Sequence, residues 1–517
     1  MRSDRKEAQR RQKEADRGNR VYRVLSVIYT LILISFIIAL IWLNVLPTKY
    51  LYGLIGIVVL VSIFIVPVMF SKNGVKRRKT IASVFSVILI AAYGVGTYVM
   101  ADTIDFFNDI TVDTKKQATE DYYVIINSQD TYTNISGLSG KNIGTYTVTD
   151  TNYSKAKSML QDAVNSEFCY IDDLESLFSG LPAGSVETVD EQTGQSEIQE
   201  YEAVFVSSAS YELMKSEMES LENNTKILYT VSVPLPEGGE AKQVDVTRES
   251  FNIFVSGLDV EGDISTVSRS DVNIIVTVNP RTHKILMTSI PRDYYVNLPS
   301  KNAMDKLTHS GLYGISETIG AVEEMMGIKI NYYVKVNYTT IVKLVDAIGG
   351  IDIDSPYGFV THKMGDLSGI TFVEGQNHLD GRMALAYSRE RASWVDGDMR
   401  RNENQQLILE AIIEKATNST TILTSYTSIL DAVRGNVETN FTQDEITSII
   451  KMQLDGMPGW DIEKTALKGK NDYLVCYALG FAASVVDQDP EMIVQAGDLI
   501  AETMEDEENI TDESGEN

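Results

Sequence analysis

DVNIIVTVNPRTHKILMTSIPRD, residues 271–293, sets two apolar runs either side of Asn279-Pro280. Val, Ile and Thr dominate the runs, and branching at Cβ favours an extended chain. The stretch therefore predicts two strands reversing at Asn-Pro, with ESFNIFVSGLD (249–259) as a further strand before them. Helical patterns follow at ISETIGAVEEMMG (315–327), TTIVKLVDAIGG (339–350), DGRMALAYS (380–388), NENQQLILEAIIEKA (402–416) and EITSIIKMQL (445–454). Strands mixed with amphipathic helices imply an α/β domain, a mixed central sheet covered by helices, over residues 248–501.

Upstream, YYVIIN (122–127), YSKAKSMLQDAV (153–164), EAVFVSSASYELMKSEMESL (202–221) and KILYTVSVPL (226–235) alternate between strand and helix. They predict a small α/β accessory domain over 119–237, followed by a linker at PEGGEAKQ (236–243). Residues 502–517 are acidic and lack aromatics, the composition of a disordered tail.

The chain has 517 residues and a net charge of −27, unevenly spread. Up to Ala101, four acids face fifteen Lys and Arg, giving +11, and the remainder carries −38. Three apolar runs, Val21–Leu46, Leu51–Phe70 and Ile81–Met100, are each long enough as helices to cross roughly 30 Å of hydrocarbon. They predict a membrane anchor over 21–101, preceded by a basic tail (1–20) and followed by a polar linker (102–118). Lys and Arg concentrate before the first run and between the second and third, which places those segments in the cytoplasm and everything after Ala101 outside it. This topology argues against a nucleic-acid role, because the cytoplasmic basic segments are short and serve as orientation signals. Cys169 and Cys476 form no disulfide framework and read as small buried apolar residues, with their pairing left open.

Arg269 and Asp271 leave the same face of an extended chain, and Arg292-Asp293 sits at the end of a strand. If the strands pair, Asp259 joins Asp271, and two carboxylates with hydroxyl or water partners suit Mg²⁺. A surface ion pair is the competing reading. SRERASWVDGDMRRNENQQ (388–406) adds Arg389, Arg391, Arg400 and Arg401 beside Asp396 and Asp398. With Asp398 as an N-cap, Arg401 and Gln405 stand one helical turn apart, continued inward by Ile408 and Ile412. Two acids cannot neutralise these arginines, so a di-anionic ligand such as a pyrophosphate is favoured over an Arg–Asp network that ties down a loop. Lys306 is a phosphate contact or a solvent lysine. The apolar residues of 315–326 and 341–348 wall an isoprenoid tunnel or pack as core. His283, His309, His362 and His378 lack metal-ligand spacing, and no nucleophile elbow, CxxC, Walker or GxGxxG motif is present.

SGLD (256–259), RSD (269–271), SIPRD (289–293), DKLTHSG (305–311) and RER followed by GDxxRxxNQ (389–405) together resemble the LytR-CpsA-Psr family in its capsule type, with three transmembrane helices and an accessory domain. The resemblance implies an α/β/α catalytic core that holds a polyprenyl (pyro)phosphate lipid. By that likeness Asp259 and Asp271 hold Mg²⁺ (or Mn²⁺). Arg269, Arg292, Arg389 and Arg391 contact the pyrophosphate, Arg401 and Gln405 line the head-group site, and Asp398 orients neighbouring arginines. Asn404 is a departure, at a position where many members outside the capsule type have Arg before the Gln. The activity implied is phosphotransfer: a peptidoglycan hydroxyl attacks an undecaprenyl-pyrophosphate-linked glycopolymer, a capsular polysaccharide or teichoic-acid-like chain, and polyprenyl phosphate leaves. The setting implied is the cell membrane of a Gram-positive bacterium. A non-catalytic scaffold of polysaccharide export and a lipid pyrophosphatase are the alternatives.

Overall fold

The computed structural model describes residues 2–505 except 72–74, 112–118, 147–149, 190–195, 236–240, 259–263, 265–267, 395–396 and 418–424. The chain forms two compact units: residues Met1–Thr111, Thr417–Arg434 and Thr442–Pro458 in one, and Val112–Ala416, Gly435–Phe441 and Gly459–Asn517 in the other.

In the first unit, Asn19–Leu43, Thr48–Phe70 and Lys76–Ile110 are helices long and apolar enough to span a membrane. Tyr29 and Ser62 share a buried hydrogen bond of 2.7 Å, and Phe36 stacks on Tyr93 with ring centroids 5.0 Å apart. The third helix runs nine residues past the expected end at Ala101, into the segment 102–118 read as a polar linker. Phe106, Phe107 and Ile110 explain the extension, because they bury against Leu430 of the helix Tyr426–Val433. Arg434 closes the same corner on Asp102 at 2.9 Å. The helix Gln443–Gly456, a capped continuation of the pattern at 445–454, also belongs to this unit.

The second unit contains two main sheets. The smaller has the strand order Glu167–Ile171, Asn142–Tyr146, Ala203–Ser207, Thr119–Asn127, Thr225–Pro234. Alternate residues of its strands feed opposite faces. Val124, Ile126 and Phe205 pack under the helix Thr151–Ala163, while Ile125, Val204 and Val206 pack under Leu177, Tyr211 and Met214. Asp150 caps the first of these helices by accepting from the N–H groups of Asn152 and Tyr153.

The larger sheet is mixed, in the order Val437–Thr439, Tyr332–Asn337, Phe251–Leu258, Ser270–Asn279, Lys284–Ser289, Asp461–Ala466. The strands expected at 271–289 pair antiparallel, Ser289 opposite Ile274, and Phe251–Leu258 runs antiparallel beside them. Phe254, Ile275 and Leu286 share a core with Ala321, Val322 and Met326 of the helix Ile315–Met326 and with Ala496 and Ile500 of Pro490–Met504. Val345 and Ile348 are likewise buried, while Ile341, Val342 and Leu344 of the same stretch are half-buried. The last helix continues to Met504, past the boundary expected at 501, with Asn279 bonding to the carbonyls of Thr503 and Glu505.

The two sheets are joined through buried charge. Lys301, fully buried, reaches Glu120 Oε1 and Oε2 at 2.6 and 2.7 Å and lies 3.6 Å from Asp150 Oδ1. The Tyr477 hydroxyl donates to Asp150 from the side of the larger sheet, and the Tyr122 hydroxyl donates to Glu120 from the smaller sheet. Ala209 and Leu213 of the accessory helix Ser208–Glu217 enter the same core as Phe254. Both thiols are free, Cys476 buried and Cys169 half-buried.

Candidate functional site

One end of the larger sheet gathers the chemistry. Leu258 pairs with Ser270 and with Asn337, and the pairing of Lys284–Ser289 is extended by the Ile290 N–H bonding to Asn273 O. Asp271, at the start of its strand, and Arg269, Arg292 and Tyr338, just beyond theirs, therefore share that end. Gly311 makes the approach tight, since a Cβ there would lie 2.6 Å from Ser268 O and 2.7 Å from Ser270 N.

Asp271 is buried and doubly held, with Oδ2 accepting from Arg292 Nη1 at 2.7 Å and Oδ1 from Thr308 Oγ1 at 2.9 Å. Asp293 sits 3.6 Å from Arg292 Nε and 3.5 Å from Lys306 Nζ. The two carboxylates thus fix the cationic heads at the rim of a cavity of about 290 Å³, whose lining includes Arg269, Arg292, Lys306 and His309. The hairpin Gly469–Cys476/Phe481–Gln488 supplies Tyr473 and Phe481 to its wall, and the accessory helix supplies Leu213 and Glu217.

A second cluster surrounds the start of the helix Gly397–Thr417. Asp398 lies inside the first turn and is not its N-cap. Its Oδ1 is 2.9 Å from Arg401 Nη2 and 3.9 Å from Arg391 Nη1. Arg401 is only 7% exposed, yet its Nε and Nη2 make no hydrogen bond of good geometry among the described residues. Buried guanidinium N–H groups in that state favour an added acceptor. Arg389 lies over the Tyr338 ring at 4.2 Å, and Gln405 is half-buried one turn beyond Arg401. Arg400 turns aside to Glu403 at 2.8 Å and to the face of Tyr357. Asn404 is buried and donates to Tyr387 O at 3.0 Å, while Gln406 ties the helix to Met287 O and Thr465 O. This second cluster is outside the cavity lining. It shares the sheet end through Tyr338, which follows the register partner of Leu258.

Asp259 and Asp396 lie outside the described residues. No group of three or more His, Cys, Asp and Glu side chains able to hold a metal occurs among the described residues. Asp271 fits the protein's share of a magnesium shell completed by phosphate and water, by exchanging one of its donors for the ion. It does not fit a preformed all-protein site. Sequence reasoning missed the contribution of Glu217 and Leu213, which lie far away in the chain. It also missed the Asp305–His309 contact, for which the four-residue spacing in DKLTHSG was the available signal.

The sequence profile of the LytR_cpsA_psr family matches residues 204–488, more than half of the chain. The chain belongs to the LytR-CpsA-Psr family. The matched span of this LytR-CpsA-Psr chain begins inside the accessory sheet, so it includes the helix that walls the cavity. A polyisoprenyl-teichoic acid–peptidoglycan teichoic acid transferase TagU of Bacillus mycoides is 32% identical over 232 residues, 44% of this chain and 73% of the relative. The protein of the same name from Enterococcus faecalis is 35% identical over 217 residues, 41% and 69% of the two chains. The crystal structure of B. subtilis TagU aligns with 50% of this chain and 99% of its own at 29% identity, with a TM-score of 0.39.

Proposed function

We propose that this LytR-CpsA-Psr protein is a phosphotransferase that moves a polyprenyl-pyrophosphate-linked glycopolymer, a capsular or teichoic-acid-like chain, onto a peptidoglycan sugar hydroxyl. The observation that carries the reading is the convergence, at one sheet end, of Arg269, Arg292 and Lys306 around one cavity. Planar guanidinium forks match phosphate oxygens, and in a site shielded from water they stabilise charge that develops on phosphorus. The names of the TagU relatives support the transferase class. Three apolar helices support delivery of the donor from a bilayer, with the basic flanks cytoplasmic and the site outside.

In this reading Arg269, Arg292 and Lys306 bind the diphosphate, while Asp271 and Asp293 hold the last two in position. Arg389, set over the Tyr338 ring, and Arg391 and Arg401, steadied by Asp398, take the remaining phosphate charge beside Gln405. A magnesium ion would be held by Asp271 with Asp259, and when bound it neutralises phosphate charge. The pyrophosphate bond itself stores the driving force, so the protein's contribution is alignment and charge neutralisation.

The test is transfer by the full-length protein in detergent, supplied with Mg²⁺, a polyprenyl-diphosphate-linked oligosaccharide and soluble peptidoglycan oligomers. Covalent donor–acceptor product is expected, and Arg389→Ala or Asp271→Ala should abolish it while the protein stays folded. Released sugar phosphate without transfer would indicate a pyrophosphatase, and binding without product would indicate a scaffold. Full activity in both variants would refute the site.

A further inference from the structure

Asp305 and His309 are a buried ionisable pair for which the phosphate-binding scheme has no use. Asp305 is fully buried within the strand Ala303–Lys306, and His309 lies four residues on in the helix Leu307–Ser310. Asp305 Oδ1 meets His309 Nδ1 at 2.7 Å and also accepts from the Lys306 N–H, while Oδ2 accepts from the Ala478 N–H at 2.9 Å. A carboxylate anchored on three sides fixes both the ring and its tautomer: the proton sits on Nδ1, and the lone pair of Nε2 is left for another partner. His309 lines the same cavity as Arg269, Arg292 and Lys306, and among the described residues Asp305 is the hydrogen-bond partner of its ring.

The nearby carboxylates are poor candidates for proton removal. Asp271 is held by Arg292 and Thr308, and Asp293 pairs with Arg292 and Lys306. Across the cavity, Glu217 from the accessory helix and the Tyr473 phenol are the other titratable groups in the wall. Behind Asp305 lies the Cys476 thiol, pushed up to about 12 by burial and by the Asp305 charge, so it stays protonated and takes no part.

Resting on the phosphotransferase reading above, we propose that His309, oriented by Asp305, is the general base that activates the attacking sugar hydroxyl. The hydroxyl oxygen forms a bond to the sugar-linked phosphorus as its proton passes to Nε2. The bond from that phosphorus to the bridging oxygen breaks, and its electron pair leaves with polyprenyl phosphate. The imidazolium then returns its proton to the departing phosphate or to water. Asp305 is a positioning residue, acting through the ring.

The experiment uses the full chain in detergent with the lipid-linked oligosaccharide and peptidoglycan oligomers named above. His309→Ala and His309→Asn are compared with wild type, the second keeping a side-chain donor for Asp305. Both should lose about 10²–10³-fold in kcat with donor binding unchanged, as expected for loss of general-base catalysis. The acidic limb of the pH–rate profile should vanish, and added imidazole should restore rate to His309→Ala only. Rates within threefold of wild type, or an acidic limb that survives in both variants and disappears in Glu217→Gln, would overturn the proposal while leaving the phosphotransferase reading intact. Absence of transfer by wild type would overturn both.

Discussion

Lys301→Met should be among the most damaging single changes outside the candidate site. The ammonium is fully buried, and its removal leaves the carboxylates of Glu120 and Asp150, with side chains 3% and 1% exposed, facing each other without a cation. Each keeps some donors: Tyr122 and Asn152 for Glu120, and Tyr477 with the N–H groups of Asn152 and Tyr153 for Asp150. Those bonds hold the penalty far below that of a bare buried ion, so the expected cost is about 3–5 kcal/mol, the usual range for breaking one side of a buried pair. For a unit of this size, at about 2.1 cal/mol/K of unfolding entropy per residue, the loss corresponds to roughly 4–6 °C in Tm. The assay is thermal unfolding of the full chain followed by near-ultraviolet circular dichroism, with Lys301→Met/Glu120→Gln as the second variant. Removing the stranded charge should recover about 1–3 kcal/mol of the loss. A melting point within about 2 °C of wild type for the single variant would refute the reasoning, because it would mean that the smaller and larger sheets do not depend on this contact.

Gly311→Ala should lower transfer more than stability, because the new methyl would press on the Ser268–Ser270 backbone and displace Arg269 and Asp271; unchanged KM and kcat would show that the contact relaxes freely. High pH should destabilise the second unit. Burial first, then neighbouring charge, raises Tyr122 and Tyr477 well above the ordinary tyrosine range, and Cys476 is raised to about 12. Unfolding lets these groups ionise from about pH 9–10, so the unfolded state binds fewer protons and stability falls as pH rises. Denaturant midpoints at pH 8 and pH 10.5 check this, and an equal or higher midpoint at pH 10.5 would contradict it.

Much of the sheet was legible because its strands advertise themselves: 271–289 is dense in β-branched residues. The helical periods at 315–327, 339–350 and 402–416 also appear where expected. What failed to show was set by tertiary partners. The third membrane helix outlasts its apolar run because Leu430, more than three hundred residues later, covers Phe106 and Phe107. Asp398 looks like a cap in sequence, yet the helix begins at Gly397 and the carboxylate turns to Arg401. Glu217 carries no signal in the sequence, because only the fold sets this exposed helix end beside the Arg269 cavity.

The opposite end of the larger sheet carries a different implication. Its hairpin between Asn279 and Lys284 is closed by the last helix and by the edge-to-face contact of His283 with Trp460. Because Arg269, Arg292 and the cavity they line lie at the other end, this turn can lengthen by insertion without disturbing them, which makes it a natural place for a fluorescent label or an affinity tag in a working protein.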